Sequence, residues 1–278
     1  MSDFSTATEV CPRGTGGPVR EFGAALDPRW SVGGKPHGGY LLAVLGRAAA
    51  EAAGDRPRLT AVSASFLEAA APGGAVAEVE VLRVGRTSTQ LRARLLQDGR
   101  PKVECLITQG ALEDGDAWWS AAEPVELPAE RDCFLAPPEV PELGLSAPLL
   151  SVVEHRLDPG LLGFTAGRPS GRGLVLGWQR LADGAAWDPL SVLVALDPIP
   201  SATLDLGIAG WAPTIQFSAY VRRPPAPGAL RTRLRATDVG AGTMDLAAHV
   251  WDAKGRLVAQ ATQIAAVRIP GTPAPKGP

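Results

Sequence analysis

The chain has 278 residues, enough for one large domain or two ordinary ones, each able to bury a core. Hydrophobic residues make up 45% and charged residues 20%, a globular composition rather than a disordered one. Twenty-seven basic residues against 29 acidic ones leave a net charge of -2, which gives nucleic acid or an anionic membrane no electrostatic hold.

Met1 to Pro12 carries Asp3 and Glu9 and has no apolar segment, so it does not read as a signal peptide. The longest uncharged run, 206–221, is broken by Gly207, Gly210 and Pro213, and no membrane span is expected. Cys11, Cys105 and Cys133 are odd in number and form no C-x-x-C pair. They fit reduced thiols of a cytoplasmic protein rather than a disulfide or zinc framework. With His37, His155 and His249 far apart in sequence, no metal or other cofactor is expected.

The first element is a strand at Val19–Leu26, followed by the turn-rich stretch WSVGGKPHGG. Tyr40 to Ala53 (YLLAVLGRAAAEAA) reads as a helix, apolar almost all round and therefore buried. Strands follow at 59–68, 75–84, 88–97 and 101–112, with apolar and polar residues alternating in the second and third. The stretch 114–159 holds Pro124, Pro128, Pro137, Pro138, Pro141, Pro148 and Pro159. It reads as an extended linker with one short element near Leu149–His155. A strand pair is expected over 161–181 and a helical segment from Pro189 to Leu196, reaching toward Ile208 but interrupted by Pro198 and Pro200. Strands return at 213–222, 229–238, 243–252 and 256–269, and the tail from 271 to 278 reads as disordered.

The second half repeats the order of the first. SFLEAAAPG (65–73) matches SAYVRRPPAPG (218–228), and QDGRPKVECLITQ (97–109) matches DAKGRLVAQATQ (252–263). A period of about 153–155 residues is a duplication of a whole β-α-β-β-β-β unit. One apolar helix followed by four long antiparallel strands has an economical solution: the sheet curls around the helix, an α+β arrangement. Two such units can pair edge to edge. The expected divisions are 19–113, a linker 114–159, 160–270 and the tail 271–278.

WSVGGKPHGGYLLAVLGRAA with TAVSASFLEAAAPGG resembles the N-terminal hot-dog of thioesterase-like proteins, and DGAAWDPLSVLVALDPIPSATLDLG through GWAPTIQFSAYVRRPPAPG to GRLVAQATQ resembles their C-terminal one. The chain is similar to the double hot-dog acyl-CoA thioesterases related to acyl-CoA thioesterase II, over roughly 20–110 and 160–269. The resemblance implies two antiparallel sheets, each wrapped around a central helix, and an acyl-CoA or acyl-carrier thioester as substrate. It also implies homo-oligomers of double hot-dogs and a role in fatty acid metabolism.

In that family a carboxylate, a hydroxyl residue and a glutamine orient and activate water. Carried over, they fall on Gln216, Thr237 and Gln263. Gln216 departs from the pattern, because an amide can hold water but cannot take its proton. Glu68, Asp205 and Asp238 are the candidates for a replacement carboxylate. Gly38 and Gly39 precede the helix, where backbone N–H groups suit a developing oxyanion. His37 beside them and Arg222 are candidate substrate contacts.

Hydrolysis of an acyl-CoA is the leading expectation. A non-catalytic acyl-CoA or acyl-carrier binding protein is the alternative that Gln216 raises. A hot-dog hydratase or dehydratase is the third, with His37 as its only plausible histidine. G-x-S-x-G, G-x-x-x-x-G-K-[ST], G-x-G-x-x-G and H-E-x-x-H are all absent.

Overall fold

The computed structural model describes residues 2–14, 17–54, 58–141, 144–210 and 212–271. Thirteen of its strands form one antiparallel sheet. They are β1 (Val10–Arg13), β2 (Val19–Leu26), β3 (Leu59–Phe66), β4 (Gly73–Val84), β5 (Ser88–Gln97), β6 (Arg100–Gly110) and β7 (Phe134–Leu135). The series continues with β8 (Val153–Leu157), β9 (Leu174–Leu181), β10 (Thr214–Val221), β11 (Leu230–Gly240), β12 (Thr243–Trp251) and β13 (Leu257–Ala266).

Across the sheet the order is β1-β2-β4-β5-β6-β3-β10-β13-β12-β11-β9-β8-β7. The two halves are mirror sequences of strands about the β3–β10 junction, which fuses the two expected sheets into one. At that junction Ser63 pairs with Ser218, 155 positions later, and their hydroxyls lie 2.8 Å apart. The repeat read in the sequence is therefore a pseudo-twofold axis running through one serine pair.

The alternation explains why these segments are strands. On β5, Leu91, Ala93 and Leu95 are buried while Arg92 is exposed, so one face meets the core and the other faces water. The core side holds the helices. Helix α1 (Asp3–Ala7) packs Phe4 edge-on against Trp30. Helix α2 (Gly38–Ala53) buries Gly39 through Gly46, Ala48 and Ala49, and it ends at Gly54, whose φ of 71° favours glycine. Helix α3 (Val192–Ala195) crosses the start of α2 so closely that a Cβ on Gly39 would lie 2.2 Å from the Leu193 carbonyl oxygen. Only glycine fits there. No helix of the described residues is long and apolar enough to cross a membrane.

Three expectations change. The 161–181 strand pair is a single strand, β9, preceded by a 3-10 helix over Pro159–Ala166. The Asp158 carboxylate accepts from the Gly160 amide and Pro159 fixes the first turn, so the chain coils instead of extending. The second helical segment keeps only four residues of regular helix before Pro198 and Pro200 stop it. The proline-rich stretch is joined to the sheet: β7 and β8 within it pair with each other, and β8 pairs with β9. Of the tail, 272–278 lies outside the described residues.

Candidate active site

A cavity of about 780 Å³ opens where the start of α2 meets the loop that follows α3. Its deep wall is apolar, with Val32, Leu41, Leu234 and Leu246 among its residues. Among its polar residues, His37, Asp197, Gln263 and Thr214 form one connected group beside Gly38.

Asp197 ends the apolar run of α3 just before Pro198, and its side chain is one-fifth exposed within this cavity. The His37 ring is buried, and its Nε2 lies 2.8 Å from the Asp197 backbone oxygen and 3.2 Å from Oδ2. A carbonyl only accepts, so Nε2 carries the proton and donates. Gln263 donates through Nε2 to Asp197 Oδ1 at 3.5 Å, and its Oε1 accepts from the Thr214 hydroxyl at 3.5 Å. The last two are at the long end of hydrogen bonding. The chain Thr214–Gln263–Asp197–His37 thus fixes one carboxylate between an amide and an imidazole, with a face left to the cavity.

Gly38 opens α2 beside that carboxylate. A Cβ on Gly38 would lie 3.5 Å from Asp197 Oδ2 and 3.1 Å from the Phe66 ring. His37 occupies the N-cap position but makes no capping hydrogen bond with its side chain. The first amides of a helix have no partner within it, so this start offers N–H groups and positive dipole to the cavity.

The loop from 197 to 207 is held from several sides. Nδ1 of His155 donates to the Ile199 carbonyl at 2.5 Å, and burial pushes the His155 pKa down to about 4, so this ring stays neutral. Asp205 is buried. Burial works against its charge, but the Ser170 hydroxyl and the Leu174 and Ser170 amides outweigh it and hold its carboxyl below the usual range. Asp205 is a clamp for the loop. Glu68 reaches the cavity mouth but is engaged by Lys102 at 2.8 Å and by Arg100; the Lys102 bond foremost lowers its pKa.

The cavity therefore brings together His37, Gly38 and Gln263 from the sequence candidates. Gly39 is next to them, but its task is the close crossing with Leu193. Two candidates lie outside this cavity. Gln216 is exposed on the outer side of β10, where it pairs with Ser65 and Ile264, and it does not line the cavity. Thr237 is exposed on β11, and its hydroxyl donates to the Asp245 carbonyl. On β10, Phe217 points inward, which turns its neighbour Gln216 out; on β11, Thr237 is the extra residue of a bulge between Ala236 and Asp238. Arg222 is exposed away from the cavity, and Asp238 is exposed on β11. Trp211 of the GWAPTI segment lies outside the described residues.

Asp197 and Thr214 place a carboxylate and a hydroxyl on either side of Gln263 in this cavity. A signal for Asp197 was available: it is the one charge closing the buried run Leu190–Leu196. The Gln216 amide, which raises the non-catalytic alternative, lies outside this cavity.

Comparisons with known proteins identify the family. Residues 26–110 match the family model described as the acyl-CoA thioesterase N-terminal domain, and 124–267 match the acyl-CoA thioesterase C-terminal domain. An uncharacterized protein of Mycobacterium tuberculosis is 33% identical over 291 aligned positions, covering 95% of this chain and 98% of its own. A candidate thioesterase II of Thermobifida fusca YX has 30% identity and a TM-score of 0.85, covering 97% of this chain and 98% of that one. A hot-dog protein of unknown function from Alicyclobacillus acidocaldarius has a TM-score of 0.79 at 20% identity, covering 97% and 99%, a likeness of fold alone.

Proposed function

The chain belongs to the acyl-CoA thioesterase family, and from that premise we propose that it hydrolyses acyl-CoA thioesters at the Asp197 cavity, with Asp197 as general base. The observation that carries this reading is the convergence of one partly exposed carboxylate, held by His37 and Gln263, on the uncapped start of α2.

The acyl chain lies along the apolar wall, and the thioester carbonyl points its oxygen at the amides that open α2. Asp197 takes a proton from a water held beside it while the water oxygen forms a bond to the carbonyl carbon. The negative charge that develops on the carbonyl oxygen is met by preorganised N–H donors in a water-poor site. As the carbonyl re-forms, the carbon–sulfur bond breaks. The leaving thiolate recovers the proton from Asp197, so acyl-CoA and water become the carboxylic acid and CoA thiol.

His37 supports Asp197 and does not carry protons to substrate. Its Nε2–H is committed to the Asp197 backbone oxygen, and its Nδ1 is buried with no partner among the described residues. The same fact weighs against a hydratase, which needs a histidine free to exchange protons with the acyl chain. A binding protein without activity would need no such carboxylate.

The test is release of CoA thiol from short-, medium- and long-chain acyl-CoA by the purified protein, with Asp197→Asn as control. Release by the natural protein and its loss in the variant supports the reading. No release above the variant with any chain length would sink it.

A further inference from the structure

The rim of the Asp197 cavity carries a charge that its interior does not use. Lys35 is the one lysine or arginine among the described residues that line the cavity, and it is exposed. It makes no ion pair among the described residues. The acid that reaches the mouth, Glu68, is engaged by Lys102 at 2.8 Å and by Arg100, so it does not neutralise Lys35. The mouth is therefore left with a positive charge in search of an anion.

The backbone holds Lys35 in place. Val32 pairs with Lys35 across a two-residue turn, Gly33-Gly34, whose φ values are 57° and 72°. Positive φ at both central residues is the type I′ turn of a tight hairpin, which glycine adopts without strain. The Gly33 amide donates to the Ser146 carbonyl at 2.7 Å, and the His37 amide to the Trp30 carbonyl at 2.9 Å. These two bonds fasten the tip and the base of the hairpin.

Distance then selects the anion. Lys35 and Pro36 are a strand and His37 is extended, so Lys35 precedes the start of α2 by roughly 10 Å of straight chain. Its four-carbon stem adds to that reach. In a pantetheine thioester about thirteen bonds separate the sulfur from the phosphorus, which at the extension of a straight chain is about 15 Å. The two lengths agree. Leu67 and Ile215 line the same cavity although they are 51% and 44% exposed. Large apolar side chains left open at the rim of a pocket are surface that a bound ligand covers.

We propose that Lys35 is the phosphate anchor of this site: its ammonium meets the phosphate at the end of the pantetheine arm, the arm crosses Leu67 and Ile215, and the thioester reaches Asp197. This rests on the thioester reading given above. The phosphate in question is common to CoA and to the prosthetic arm of an acyl carrier protein, and Lys35 recognises what the two share. A charge-assisted contact of this kind adds affinity before the reaction and is the same in ground and transition state, so it acts on KM.

The experiment compares one acyl group carried on pantetheine, on 4′-phosphopantetheine, on CoA and on an acyl carrier protein. For the natural protein, kcat/KM should be about tenfold higher with a phosphate than without, and the gain should shrink as salt rises. Lys35→Ala should lose the gain through KM, and Lys35→Arg should keep most of it. Whichever of CoA and carrier protein has the lower KM is the source of the phosphate. Calorimetric titration of CoA itself reads the contact without hydrolysis, and Lys35→Ala should weaken it about tenfold. A protein that binds CoA through Lys35 but releases no thiol would fail the activity proposed above and leave this inference standing. Absence of CoA binding by the natural protein overturns it. So does a CoA affinity within about twofold in Lys35→Ala, or an equal loss for pantetheine and CoA thioesters, which would mark damage to the shape of the site.

Discussion

The two helical segments of this duplicated protein begin in opposite ways. Asp188 precedes the second one and spends its carboxylate on the Leu190 and Ser191 amides, at 2.9 and 2.6 Å. His37 precedes α2 and caps nothing. Nine residues after Asp188 comes Asp197; nine residues after His37 comes Gly46. At the first meeting of the halves, the bare start of α2 faces the Asp197 carboxylate across a cavity. At the second, the Leu190 side chain fills the space over Gly46, where a Cβ would approach Leu190 Cδ2 to 2.6 Å. A duplicated fold thus offers two equivalent places, and this chain hollows and charges one while packing the other. Uncapped amides and a partly buried carboxylate cost stability, so confining them to one place limits that cost.

The sharpest way to break the contrast is to remove the charge. Asp197→Asn keeps the shape and the hydrogen bond to Gln263 but not the base. CoA release should fall on the order of 10³-fold, about 4 kcal/mol in barrier, with little change in melting temperature. Loss of less than about tenfold would mean that another group takes the proton.

The packed place should answer in stability and not in rate. Leu190→Ala should cost about 2–5 kcal/mol in denaturant unfolding while CoA release per folded molecule stays unchanged. A fall in rate there would mean that the filled place also serves the reaction.

The two glycines sharpen the comparison further. Gly39→Ala pushes a methyl into the Leu193 and Val194 backbone, which cannot give way, and should destabilise by about 3 kcal/mol or more. Gly46→Ala meets the end of the flexible Leu190 side chain and should cost less, about 1 kcal/mol. Parallel urea titrations decide the order.

The smallest effect belongs to the residues first suspected from sequence. Gln216→Ala and Thr237→Ala remove exposed side chains outside the cavity, and each should leave stability within about 0.5 kcal/mol and CoA release close to that of the natural protein. A large loss in either would return that residue to the mechanism.

Much of this was legible in the chain alone. The alternation in β4 and β5, the unbroken apolar run of α2 and the Thr-Gln endings repeated 154 positions apart are patterns that sequence displays directly. From them follow the α+β class and the duplication; the family resemblance singled out Gln263, which lines the cavity beside His37 and Gly38. What only the tertiary structure decided was which carboxylate and hydroxyl stand beside them in the cavity. Strand parity turned Gln216 outward and a bulge at Thr237 exposed that residue, matters of single-residue register that composition does not reveal. Asp197 met His37, 160 positions away, because α3 ends where α2 begins, a contact made by the packing of two halves. Periodicity fixes which face of an element is buried; only the assembled halves fix what each buried face meets.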